Sequence, residues 1–237
     1  MSQRTAVHQK QASISFLRPG QVLLRNDISV AGHGVDEDLG TFWPTNGSTD
    51  DVIIRLAPEF YRDSAGRESR EIYKVNLAIL EAAIATPNTR PLNALNREVE
   101  PIDETLAGVD LDGDGVLRTS VTRIQRLPAY YVGAASDVPV QRFLYPQGTE
   151  FLHTVRYVDP DRTDMVSSRM KEVRYSRREL PISLDKLRRV YAAEFENKEQ
   201  GNLPVYGGAG ETGLVNDFGW RLQGFIDDPA QPVRRIV

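Results

Sequence analysis

Only two segments of this 237-residue sequence carry the apolar stripe of an amphipathic helix, while about nine short segments read as strands. The helices do not alternate regularly with the strands, and no 20–50-residue repeat is present, so a doubly wound parallel sheet and a solenoid are both disfavoured. The expected class is α+β: a single domain with a mostly antiparallel sheet, two principal helices and long loops. Residues 1–10 are expected to be a disordered lead and residues 11–237 to form the domain. A chain this long buries enough surface to need no disulfide or metal staple.

The first helix is expected to begin after Ser69, with Ile72, Val75, Ile79, Ala82 and Ala83 on one stripe and Pro87 forbidding continuation. Ser183 caps the second, whose stripe is Leu187, Val190, Tyr191 and Phe195, and Gly201 stops it. Strands are expected at 12–17, 21–25, 51–56, 121–127, 129–132, 140–144, 150–158 and 218–226. The segment 167–180 fits a helix through Met170 and Val173, or a strand through Val173 and Tyr175. Residues 31–50 are turn-rich.

Composition removes several classes of function. The net charge of −4 lacks the basic footprint of a general nucleic-acid binder. With no cysteine, thiol catalysis, iron–sulfur ligation and covalent c-type haem attachment within this chain are excluded. No run approaches the roughly 18 apolar residues of a transmembrane segment. The first ten residues hold no apolar core of a signal peptide, so the chain is expected to be either cytoplasmic or a mature form whose leader is replaced by a start methionine.

The strongest chemical signal is Asp110-Leu-Asp112-Gly-Asp114-Gly115-Val116-Leu117. Three carboxylates at alternate positions converge on one hard cation, and Gly115 permits the sharp turn through which the Val116 carbonyl joins them. Asp110, Asp112, Asp114 and Val116 are therefore the expected Ca²⁺ ligands, with Leu117 anchoring the loop in the core. Position twelve is Val121 where an EF-hand has a bidentate Glu, so a sensor-type EF-hand is excluded. The missing ligand is expected from Asp103, Glu104 or a distant loop, and the ion's role is structural. The competing reading is an Asp/Gly turn bonded to its own backbone. A calcium loop favours a periplasmic or extracellular location.

Other candidates are weaker. His153 shares a strand face with Phe151, Val155 and Tyr157 and reads first as a core histidine. His33 lies among acids in a turn-rich loop, and His8 in the lead. The Asp159-Pro-Asp161 run reads as turn chemistry. Gly207-Gly-Ala-Gly210 lacks the ending of a phosphate loop. The Arg-rich segment 169–189 offers a docking surface for an anionic protein partner, or a solvated face.

Five segments together resemble a family of uncharacterised bacterial secreted proteins: Val109–Gly115, Leu127–Ala135, Phe151–Tyr157, Arg169–Tyr175 and Asn216–Ile226. The likeness runs from about residue 50 to 228. Its relatives continue into a Cys-x-x-Cys-His haem-attachment motif, which this chain lacks. The resemblance implies an extracytoplasmic location and a redox setting. A haem supplied by a partner would find His153 and Met170 as its axial candidates. The leading reading is a calcium-stabilised, non-catalytic accessory or binding subunit associated with a cytochrome or larger complex. The alternatives are a redox protein or enzyme holding a non-covalent cofactor near His153, and a structural subunit.

Overall fold

The computed structural model describes residues 13–18, 21–25, 48–85, 95–203, 205–228 and 231–235. His8, His33 and the expected lead lie outside them. The strands are β1 (Ser13–Arg18), β2 (Gln21–Arg25), β3 (Ser48–Arg55), β4 (Arg97–Ile102), β5 (Val121–Ile124), β6 (Glu150–Val158), β7 (Val166–Arg178), β8 (Gly207–Ala209), β9 (Gly213–Val215), β10 (Trp220–Asp228) and β11 (Gln231–Arg235). The helices are α1 (Arg70–Ile84) and α2 (Leu184–Glu199).

Nine strands form one sheet in the order β1-β2-β3-β6-β7-β10-β9-β8, with β11 paired to β10, and β4 and β5 form a separate hairpin. Every pairing is antiparallel. The α+β, single-domain expectation therefore holds. The ambiguous segment 167–180 is a strand, paired to β6 and β10 along most of its length. Alternation of Val173 and Tyr175 between two neighbouring strands outweighs the single helical turn that Met170 and Val173 could share.

Helix α1 forms because Ser69 caps it, its hydroxyl accepting the Ile72 amide at 3.3 Å. Its apolar face buries Ile72, Val75, Ile79, Leu80 and three alanines against Leu56, Phe60, Ile102, Leu111 and Ile124. Full burial of a residue such as Ile79 or Leu80 contributes about 1.5–3 kcal/mol. Helix α2 is less well covered. Leu187 reaches a smaller core with Leu144 and Ile182, joined by Val190 and Phe218.

Two expected strands are absent. Residues 129–140 make one isolated bridge, Tyr130 with Pro139, around a 3₁₀ turn at Gly133–Ala135, with the Tyr131 amide donating to the Val138 carbonyl at 3.0 Å and the Val140 amide to the Ala129 carbonyl at 2.9 Å. At Val132 the pairing gives way to Asn76, which is fully buried on α1. Its Oδ1 accepts the Val132 amide at 2.9 Å, while Nδ2 donates to the carbonyls of Phe60 and Val132 at 2.8 and 3.1 Å. The backbone of Val132 is thus satisfied by a side chain instead of a strand partner. Gly133 has φ +71°, and a Cβ there would lie 2.2 Å from the Arg62 carbonyl oxygen, so only glycine fits.

Candidate metal centre

The acidic loop occupies the connection between β4 and β5, whose pairing of Ile102 with Val121 closes its base. Glu104 stands inside that base and is completely buried. Its Oε2 accepts the Leu111 amide at 2.7 Å and its Oε1 the Arg118 amide at 2.9 Å. Its own amide donates to the Arg118 carbonyl at 3.1 Å. One carboxylate therefore holds both ends of the loop.

Leu111, not Leu117, anchors the loop in the core. Leu111 is fully buried, and its carbonyl accepts the amides of Gln125 and Arg126 at 2.7 and 3.0 Å. Leu117 and Val116 are exposed. The hairpin base fixes the second loop residue beneath Glu104, which leaves the seventh and eighth outside.

The aspartates fold the loop around its own amides. Asp110 accepts Gly113 N–H at 2.6 Å and Gly115 N–H at 3.0 Å, one on each oxygen. Asp112 accepts the Asp114 amide at 3.1 Å, and Asp114 accepts the Val116 amide at 2.8 Å. Gly115, at φ +90°, supplies the turn expected of it. Arg118 binds the other oxygen of Asp114 at 2.7 Å. That guanidinium, aided by the Val116 amide, holds the Asp114 carboxyl below the usual aspartate range.

Carboxylate oxygens of Glu104, Asp110 and Asp112 all lie within 4.8 Å of one another, a spacing that one cation could bridge. The grouping differs from the sequence expectation in one member: Glu104 stands with Asp110 and Asp112, while Asp114 turns to Arg118. An oxygen that accepts a single N–H keeps a second lone pair, so the amide bonds leave cation ligation open. Asp103 does not join them; its Oδ1 accepts the Thr105 amide and hydroxyl.

The other expected site residues are not gathered. His153 is half-buried on β6 opposite Arg174, and exposed Met170 on β7 is opposite Arg156. Arg174 and Met170 are four residues apart, roughly 13 Å along the strand at ~3.3 Å per residue. The Asp159–Asp164 segment is a turn in which Asp164 pairs with Arg162.

The Arg-rich segment is less of a docking face than its sequence implies. Arg178 is buried, Arg169 pairs with Asp227, Arg174 with Glu172, and Arg177 lies 3.8 Å from Glu150. Asp227 on β10 and Glu150 on β6, both cross-strand, and Glu172 on β7 itself compensate Arg169, Arg177 and Arg174 locally. Sequence reasoning missed Asn76, although a lone Asn among Ile72, Val75 and Ile79 on an apolar helical face was a readable signal.

Comparison with known proteins adds the family. A family model described as a "-like lipoprotein" matches residues 37–235. The chain is 35% identical over 189 residues to an uncharacterized lipoprotein of Aquifex aeolicus (strain VF5), covering 79% of this chain and 28% of that protein. It thus spans well under a third of that relative's length. No solved structure matches. Among the described residues no helix is long and apolar enough to cross a membrane. The chain belongs to this bacterial lipoprotein family.

Proposed function

We propose that the chain is a calcium-stabilised, non-catalytic accessory or binding module of an extracytoplasmic lipoprotein. The observation that carries this reading is the convergence of Glu104, Asp110 and Asp112 within 4.8 Å in a loop of alternating aspartates. Ca²⁺ takes six to eight oxygen ligands, so backbone carbonyls and water complete the shell. Bound there, the ion neutralises carboxylates that otherwise repel one another, and it fixes the β4–β5 connection beside the α1 core. Millimolar extracellular calcium suits a site of modest affinity. The partner in this reading is another extracytoplasmic protein, and the resemblance to relatives with a haem-attachment motif makes a cytochrome the first to test.

Titration calorimetry of the purified chain with Ca²⁺ tests the metal directly. The reading requires one saturable site, weakened at least ~10-fold by Asp112→Asn. Absence of binding at millimolar Ca²⁺ would remove it. For the partner, immobilised chain should retain a polypeptide with Soret absorbance from a periplasmic extract. Retention of none removes the cytochrome.

A further inference from the structure

The most exposed large apolar side chains among the described residues lie close together in the chain: Phe195 at 66%, and Leu203 and Val205 at 85% each. Leu184 and Tyr191 are exposed as well. At ~100° per residue, Leu184, Tyr191 and Phe195 fall within about 40° of one another on α2, beside the face that Leu187 buries. The Tyr191 ring packs edge-on against Phe218, and its hydroxyl donates to the Phe143 carbonyl at 2.8 Å, which holds the stripe in place.

The charges on α2 are sorted by sign along its length. Its first half carries Lys186, Arg188 and Arg189 against Asp185; its second carries Glu194, Glu196 and Glu199 against Lys198. Taken by halves, this order opposes the helix dipole, which favours acids early and bases late. It gains nothing within one helix beyond the local pairs Arg188–Asp185 and Lys198–Glu194. Against an antiparallel copy of itself, the basic half meets the acidic half. An anionic bilayer would attract the first half and repel the second, so lipid matches this surface less well.

We infer that α2 is a self-association surface, on which two copies of the chain pair their α2 helices antiparallel about a two-fold axis. A pairing centred between Tyr191 and Phe195 lays each Tyr191 opposite Phe195 of the second copy. It brings Arg188 within one residue's rise, ~1.5 Å, of Glu199 of the second copy on the same flank, with Lys198 on the opposite flank, and points Leu184 toward the segment carrying its Leu203. Such an interface is isologous and closes at the dimer.

Sedimentation velocity of the full chain over a concentration series tests it. A monomer–dimer equilibrium is expected, with the dissociation constant raised at least ~10-fold by Phe195→Asp or by Arg188→Glu. Combining Arg188→Glu with Glu199→Arg should restore association, because the reversed pair still meets its complement. All altered residues are exposed, so circular dichroism should stay unchanged. A chain that is monomeric throughout, or a dimer indifferent to these substitutions, would overturn the inference. So would a monomer that instead binds phosphatidylglycerol vesicles.

Discussion

Glu104 and Leu111 are joined by a 2.7 Å hydrogen bond in which the Leu111 amide donates to Oε2 of a completely buried carboxylate. The other oxygen takes the Arg118 amide, so a single side chain closes a loop of six intervening residues between its two contacts. Replacing Glu104 with Gln turns one acceptor into an NH₂ group facing an N–H. That substitution should cost about 1–3 kcal/mol, read from urea unfolding. Unchanged stability would mean that the clamp is not needed.

Asn76 makes three buried hydrogen bonds, to Phe60 and Val132. Asn76→Ala leaves two carbonyls and one amide unpaired inside the core. At about 1–3 kcal/mol for each stranded group, a loss of at least ~3 kcal/mol is expected. Amide exchange should rise first around Val132, where the side chain stands in for a strand partner.

Burial pushes the Tyr73 hydroxyl up to about 12, with the Leu56 amide that it accepts at 3.3 Å acting in the opposite sense. The neutral phenol is the folded form. This contribution to stability is therefore complete below pH ~10, the value for an unfolded chain, and is lost as pH rises toward 12. The interval corresponds to about 2–3 kcal/mol. Tyr131, raised by burial alone, adds to the same trend. Alkaline unfolding monitored by tyrosinate absorbance should be shallower in Tyr73→Phe than in the parent.

Gly133→Ala should be among the most damaging conservative changes. A Cβ there meets the Arg62 carbonyl at 2.2 Å, and that oxygen also accepts the Ala134 amide at 2.9 Å. The backbone must shift and the turn bond must weaken, for a loss above ~2 kcal/mol in thermal or urea unfolding. Gly66→Ala has the same sign of φ but open space around it, so it should cost less.

The fold class was readable because the regular elements carry their own periodicity. Ser69 and Ser183 cap the helices where the stripe begins, and the segments read as β6 and β10 are strands of the main sheet. What was not readable depends on long-range partners. The Ala129–Val132 run looks like a strand by composition, yet its pairing is confined to one isolated bridge and Val132 is met by Asn76, 56 positions away. In the acidic loop the carboxylates and Gly115 were legible from spacing alone. Glu104 was among the candidates for the missing ligand; that it and not Asp103 would stand with Asp110 and Asp112, and that Arg118 would draw Asp114 aside, follows from the β4–β5 register, which no local pattern encodes. Leu111 and Leu117 are equally apolar, and only the position of Glu104 decides which one is buried.

The central claim is that a divalent cation joins these carboxylates, and thermal unfolding in Ca²⁺ against chelator tests it most directly. With Ca²⁺ at 100 times its dissociation constant, the folded state should gain ~2.7 kcal/mol and melt at a higher temperature, and a 10-fold weaker site in Asp110→Asn or Asp112→Asn should cut that gain to ~1.4 kcal/mol or less. Superimposable melting curves with and without Ca²⁺ would contradict the account and leave the loop as a turn bonded to its own amides.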